Sequence, residues 1–262
     1  MSKNSGQTVP VSFTQNYLTS QKTINRLLRL SNINNNDTVI EIGAGKGHIT
    51  KPLLNKCGRV IASEIDTRLY ESLITKFSDK KNIHLINEDF LRCSLPKTQY
   101  KVFSNIPFAI TTDIVRKLTQ DKNPPQDAWL VMEKGAAKRF CGKPNNTLHS
   151  LLLKPFFNLS IVYHFQREDF HPMPRVDVVL LHISKKGEPD LLWSEQTVYC
   201  DFISHGLKSG LFGKQAFLTK RQIATALRHA KLNPIQHGGE VLYIQWLCLF
   251  RCWLKYGRYA DV

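Results

Sequence analysis

The stretch Val39-Ile40-Glu41-Ile42-Gly43-Ala44-Gly45-Lys46-Gly47-His48-Ile49-Thr50 decides the fold. Its first half carries the apolar run Val39, Ile40 and Ile42, as expected of a parallel strand covered on both faces. Its second half sets glycines at alternate positions, Gly43, Gly45 and Gly47. There the backbone can turn tightly and lie close to a ligand, because no side chain stands in the way. The start of a helix follows. Twenty-one residues after Gly43, Glu64 closes a second apolar run, Val60-Ile61-Ala62-Ser63. An acid at about that distance is placed to accept hydrogen bonds from ribose hydroxyls. The combination points to a nucleoside cofactor without saying which one.

Outward from this stretch, strand and helix patterns alternate. Upstream, Ser20 offers an N-cap for a helix with Ile24, Leu27 and Leu28 on one face. A turn cluster, Asn32 to Asp37, leads into the first strand. Downstream, residues 47–57 are expected to be helical, but Pro52 is tolerable only near a first turn, so that helix should start late or bend. A strand at 59–64 and a helix from Thr67, with Leu69, Leu73, Ile74 and Phe77, come next. Then follow a strand at 83–87, a loop, a strand at 100–104, a helix near 110–120 and a strand at 127–133. Such alternation predicts a doubly wound, mainly parallel α/β sheet. In these sheets the ligand lies outside the carboxyl ends of the strands, which is where Gly43, Glu64, Asp89 and Asn105 all fall.

Two further runs, 159–165 and 176–183, read as strands joined by the proline-stiffened segment Asp169-Phe170-His171-Pro172-Met173-Pro174. After Lys185-Lys186-Gly187-Glu188-Pro189 the strands give way to helical patterns near 195–208, 219–232 and 239–256. The predicted organisation is therefore an α/β domain over 1–185 and a small all-helical domain over 186–262. Residues 1–14 read as a loose polar tail, and Gln15-Asn16-Tyr17-Leu18 as a short polar-aromatic segment.

Lysine and arginine outnumber aspartate and glutamate by 36 to 21, a net charge of +15. That imbalance is the footprint of a nucleic-acid partner, since cationic side chains release counterions from phosphates. Basic residues concentrate at Lys3, Lys22, Arg26 and Arg29, between Lys134 and Arg175, and after Ser184. They would form a broad cationic cleft if the three segments converge. The 42% hydrophobic content supports a packed core. The six cysteines show no Cys-x-x-Cys pair and no zinc spacing, so free thiols in a reducing compartment and no metal are expected. With no signal-peptide core at the start and no run of about 18 apolar residues, a cytoplasmic protein is expected.

Asn105-Ile106-Pro107-Phe108 is the most informative tetrapeptide. An exocyclic amine on a base is a poor nucleophile, because its lone pair is delocalised into the ring. A carbonyl acceptor from Asn105, joined by the backbone carbonyl of Ile106, could hold both amine hydrogens and turn the lone pair towards an electrophile. Pro107 fixes the turn, and Phe108 offers a face for stacking an extruded base. The same residues would also suit an ordinary Asn-Pro turn with a core phenylalanine. Asp89 could accept from an adenine amino group or cap a turn. Lys46 lies in the glycine loop, but no Gly-x-x-x-x-Gly-Lys-Ser/Thr pattern supports a phosphate-binding P-loop. A nicotinamide-dependent dehydrogenase would want Gly-x-Gly-x-x-Gly, which Gly43-x-Gly45-x-Gly47 does not match.

Together these residues resemble the rRNA adenine N6-methyltransferase family. The likeness runs in order through Gln15-Asn16-Tyr17-Leu18, Glu41-Ile42-Gly43-Ala44-Gly45-Lys46-Gly47, Glu64-Ile65-Asp66, Glu88-Asp89-Phe90, Asn105-Ile106-Pro107-Phe108 and Phe170-His171-Pro172-Met173-Pro174. Within that family the chain is similar to the Erm enzymes. It shares with them Phe13-Thr14-Gln15-Asn16, Ile106, and Phe217-Leu218-Thr219-Lys220-Arg221-Gln222. The resemblance implies a Rossmann-like class I methyltransferase domain that uses S-adenosylmethionine, and a helical RNA-binding domain. It implies that Asn16, Leu18, Gly43, Gly45, Glu64, Ile65, Asp89, Phe90 and Asn105 bind the cofactor, with Glu64 on the ribose and Asp89 on the adenine. Asn105, Ile106, Pro107 and Phe108 would be catalytic, with Tyr17, Phe108 and Phe170 as aromatic neighbours of the target adenine. The implied substrate is one adenine of 23S rRNA in the peptidyl-transferase region. Its methylation blocks macrolide, lincosamide and streptogramin B antibiotics, and the enzyme is expected to be monomeric. The alternative is the sister group that dimethylates adenines of small-subunit 16S rRNA, in which leucine is commoner at the position of Ile106 and tyrosine at that of Phe108. A third reading, a catalytically silent RNA-binding relative, would be expected to lose Asn105 or Gly43.

Overall fold

The computed structural model describes residues 16–212, 216–236 and 239–257. The polar tail and Phe13-Thr14-Gln15 lie outside the described residues. The elements are β1 (Tyr17–Leu18), α1 (Gln21–Leu30), β2 (Thr38–Ile42), α2 (Thr50–Leu54), β3 (Arg59–Ser63), α3 (Thr67–Lys76), β4 (Ile83–Ile86), β5 (Lys101–Asn105), α4 (Thr111–Gln120), β6 (Asp127–Glu133), α5 (Lys134–Cys141), α6 (Leu148–Leu153), β7 (Phe157–His164), β8 (Phe170–His171), β9 (Val178–Lys185), α7 (Gln196–Ser209), α8 (Lys220–His229) and α9 (Tyr243–Tyr256).

The alternating pattern produces a seven-stranded sheet in the order β4-β3-β2-β5-β6-β9-β7. The pairs from β4 to β6 are parallel, and β9 runs antiparallel to β6. The chain winds outward from β2 to β4, then returns to place β5 on the other side of β2. The strand order thus reverses between β2 and β5, the position where α/β sheets bind ligands. Backbone pairing there stops early, with Val39 opposite Lys101 and Ile40 opposite Val102. Ser104 takes over beyond it. Its Oγ donates to the Ile42 carbonyl at 2.6 Å, and the Ile42 N–H donates to it at 3.2 Å. The sheet opens at this point and a side chain holds it.

One face of β2 and β3, with Val39, Val60 and Ala62, packs against Ile24, Leu27 and Leu28 of α1, Leu53 of α2, and Leu73 of α3. The expected helix at 47–57 is shorter than its sequence suggests. It runs only over Thr50–Leu54, so Pro52 falls within the first turn, where its missing N–H is least costly. The carbonyl four residues back, that of His48, accepts instead from Gln21 Nε2 at 3.2 Å.

Glu41 lies in β2 at 2% exposure, and its Oε2 has no hydrogen-bond partner. Burial, reinforced by the Glu64 charge, pushes its carboxyl up to about 8. The folded protein then holds a proton there that the unfolded chain loses above an ordinary carboxylate value. Stability should fall as pH rises from about 5 to about 8, by up to about 1.4 kcal/mol per pH unit from this group. Glu41→Gln keeps the shape without the titration and should flatten that part of the slope. Chemical denaturation of both proteins at several pH values checks this, and identical slopes would refute it.

Packing divides the chain into two units, 1–137 with 160–184, and 138–159 with 185–262. The sequence places a single boundary near Lys185 and assigns 138–159 to the first domain, whereas this segment, with the end of α5 and all of α6, packs in the second. Its partners explain why. Pro155 and Phe156 carbonyls accept from the N–H groups of Asp190 and Lys186, at 2.8 and 2.9 Å, and Phe156 stacks on Trp193 at 4.4 Å. The second unit is otherwise helical, with an aromatic core that includes Tyr199, Phe202, Phe250 and Trp253. Among the described residues, no helix is long and apolar enough to cross a membrane.

Candidate active site

Four chain segments of the first unit meet at the carboxyl ends of the parallel strands. The glycine turn comes first. Gly43, Gly45 and Gly47 have φ of 67°, 56° and 74°, a region that favours glycine. Gly45 is also pressed from above: a Cβ added there would lie 2.6 Å from Tyr17 Cε1. The turn is tied to β3, since the Ala44 N–H donates to the Ser63 carbonyl at 3.0 Å.

Glu64 braces the turn. It is 3% exposed, and its Oε2 accepts from the Gly45 N–H at 2.7 Å while Oε1 accepts from the Asp66 N–H at 2.9 Å. Asp66 in turn caps α3 through the N–H groups of Arg68 and Leu69. One carboxylate therefore couples the glycine turn, the end of β3 and the start of α3. Each of its oxygens keeps a further acceptor position.

Asn105 ends β5. Its Nδ2 donates to the Asn16 carbonyl at 2.7 Å. Because a backbone carbonyl can only accept, this contact sets the orientation of the amide. Its Oδ1 is consequently turned away, buried and without a hydrogen-bond partner. A buried bare acceptor is costly and rare. Beyond it Pro107 holds the turn, and the Phe108 carbonyl accepts from Thr111 Oγ1 at 3.0 Å. The Phe108 ring is half-buried and packs on the core edge.

The fourth segment is β1. It pairs antiparallel with β8, Tyr17 opposite His171 and Leu18 opposite Phe170. Thr23 Oγ1 and the Thr19 N–H reach Asp169, which fixes this small sheet beside α1. The pairing brings Asn16 to Asn105 and lays Tyr17 over Gly45.

A cleft of about 1030 Å³ opens at this junction. Asn16, Gly43, Ile65, Asp89, Phe90, Pro107 and Phe108 line it. Ile65 is 58% exposed, an apolar surface suited to a base ring. Asp89 lies in the turn three residues past β4, where Oδ1 caps the Leu91 N–H at 2.9 Å. The turn-capping reading of Asp89 is met, and its carboxylate, which lines the cleft, keeps further acceptor positions. Leu18, Tyr17, Gly45, Glu64, Asn105, Ile106 and Phe170 stand behind the lining. Leu18 and Phe170 are core residues, 2% and 3% exposed, and Phe170 meets Phe165 edge-on at 5.2 Å.

The sequence motifs passed over Ser63, Glu133, Met173, Arg175 and Val176 as cleft residues. Glu133 is the last residue of β6, so the rule about strand carboxyl ends could have found it. Ser63 and Met173 lie in quoted runs that gave them no site role, and Arg175 and Val176 carry no local signal.

A buried bare amide oxygen, a close-approach glycine turn and a half-exposed apolar face form a set suited to an adenosine cofactor and an amine substrate. Residues 6–232 match the ribosomal RNA adenine dimethylase family. The chain belongs to the rRNA adenine N6-methyltransferase family. It is a methyltransferase of the S-adenosylmethionine-dependent kind. The rRNA adenine N-6-methyltransferase of Bacillus licheniformis is 32% identical over 92% of this chain and 86% of its own length. That of Limosilactobacillus reuteri is 33% identical over 93% and 96%. Among solved structures, the 23S rRNA methyltransferase ErmE superposes with a TM-score of 0.79 at 27% identity, covering 90% of this methyltransferase and 99% of ErmE. A dimethyladenosine transferase from Plasmodium falciparum shares the fold, with a TM-score of 0.65 at 20% identity.

Proposed function

We propose that this methyltransferase modifies the exocyclic N6 amine of one adenine in the peptidyl-transferase region of 23S rRNA, taken out of the stack by base flipping, and so confers macrolide, lincosamide and streptogramin B resistance. The observation that carries the chemistry is the bare, buried Oδ1 of Asn105. S-adenosylmethionine, when bound, supplies an electrophilic methyl group on a sulfonium. The residues present fit it: Gly43 and Asn16 border the cleft, Ile65 and Phe90 offer apolar faces to an adenine, Asp89 an acceptor to its amine, and Glu64 acceptors to the ribose. Asn105 Oδ1 and the Ile106 carbonyl accept the two hydrogens of the target amine. Its lone pair is thereby withdrawn from conjugation and directed at the methyl. No strong general base is needed, because attack gives a cationic amine that is acidic. Phe108 stacks on the flipped base, and the half-buried Tyr17 and the buried Phe170 hold the β1–β8 wall behind it.

The choice of 23S rRNA rests on the likeness to ErmE over nearly the whole chain. The helical unit, with Lys220, Arg221, Arg228 and Lys231 on or next to α8, is assigned to RNA binding, and the enzyme acts as a cytoplasmic monomer. Methyl transfer from labelled S-adenosylmethionine to separated, protein-free 23S and 16S rRNA tests the assignment. N6-methyladenine at one site of 23S rRNA is the expected product, and label confined to 16S rRNA would overturn it. RNA affinity should fall steeply and log-linearly with salt. Filter binding that stays flat from low to physiological salt would remove the electrostatic part of the reading.

A further inference from the structure

The connection from β4 to β5, residues 87–100, contains no helix. A doubly wound sheet normally covers such a face with one. Here residues 90–96 cover it instead, and a cavity of about 290 Å³ remains beneath them. Ile40, Ile61 and Ile86 line it from the sheet, and Phe90 and Leu95 from the loop. Ser63 lines both this cavity and the cofactor cleft. Residues 61 and 63 share one face of β3 by the two-residue repeat of a strand. The Ser63 side chain is fixed in a polar predicament. The residue is 4% exposed, and its Oγ has no hydrogen-bond partner. Cys93, also in the lining, is satisfied, its thiol donating to the Asp89 carbonyl at 3.4 Å. The lining is mainly apolar but also holds Arg59, His84 and Ser94, and an orphaned hydroxyl in such a wall is a group that a ligand can satisfy.

We propose that this cavity is a second small-molecule site, distinct from the cofactor cleft. It takes a neutral, mainly apolar molecule of about phenol size, with its single hydrogen-bonding group on Ser63 Oγ and its apolar body on Ile40, Ile61 and Ile86. Arg59, in the lining, disfavours a cationic occupant. The site needs no methyl transfer and no RNA, so its failure and that of the proposed reaction are separable.

Phenol and toluene, titrated against the full chain by ligand-observed NMR with saturating S-adenosylhomocysteine in the cleft, test the site. Phenol should bind saturably. Ser63→Ala should weaken phenol at least about fivefold, the worth of one net hydrogen bond, and leave toluene within about twofold by the same reasoning. Ile61→Phe, which fills the cavity, should abolish both. Thermal unfolding establishes that each variant is folded, and Ile86→Phe serves as a second filling variant. Absence of saturable phenol binding, displacement of phenol by S-adenosylhomocysteine, or phenol affinity indifferent to both kinds of substitution would overturn the proposal.

Discussion

Asn105→Ala should fold, keep cofactor affinity within a few-fold, and lose at least about a hundredfold in methyl transfer, the range for removing one preorganised polar group from a reaction centre. The geometry makes the effect specific. Nδ2 is held by the Asn16 carbonyl at 2.7 Å, which fixes the orientation of the amide, and Oδ1 is left buried without a partner. Removing it leaves the target amine with the Ile106 carbonyl alone, and its lone pair stays in conjugation. Asn105→Asp should rescue poorly. The carboxylate would set an oxygen against the Asn16 carbonyl, acceptor against acceptor, and would disturb β1. Calorimetry with S-adenosylhomocysteine and a single-turnover methyl-transfer assay separate binding from chemistry. An Asn105→Ala enzyme within threefold of the parent would end the assignment of Asn105 to the amine.

Glu64→Ala should be the most damaging single change to the cofactor site. It strands the N–H groups of Gly45 and Asp66, which now donate to Oε2 and Oε1 at 2.7 and 2.9 Å. Leaving a buried donor unmet costs about 1–3 kcal/mol, which applies to Gly45, whereas Asp66 is exposed and its N–H can turn to water. The expected result is a loss of roughly 1–3 kcal/mol in stability, from the Gly45 N–H, with cofactor affinity lower by at least about tenfold, since ribose acceptors go as well. Glu64→Gln should fall between the two. Its single amide oxygen can serve one N–H, while its NH2 faces the other donor. Thermal unfolding with and without S-adenosylhomocysteine measures both effects. Lower stability with unchanged affinity would make Glu64 a brace for the glycine turn and nothing more.

Local pattern carried most of the α/β architecture. Val39, Ile40 and Ile42 before Gly43 announce a buried strand and turn, and the acid at Glu64 follows at nucleoside-binding distance. Each of these signals is local, because the strand repeat, the glycine turn and the strand ends are set by neighbours in the chain. Pro52 shows where local reasoning stops. The sequence says that a helix must start late. It cannot say that Gln21, from α1, replaces the donor that proline lacks at His48.

Motif order pointed to an α/β nucleoside-binding fold and, through the family resemblance, to a methyltransferase; the excess of basic residues pointed to a nucleic-acid partner, and the motifs singled out Asn105, Glu64 and Asp89. Tertiary structure alone decided how those residues are aimed. The bond from Asn105 to Asn16 spans 89 positions, and β1 pairs with β8 across more than half the chain. The return of 138–159 to the helical unit depends likewise on Phe156 meeting Trp193. Such contacts have no period and no spacing. They arise when burial brings distant segments together and each buried polar atom must find a partner there or be left, like Asn105 Oδ1, without one.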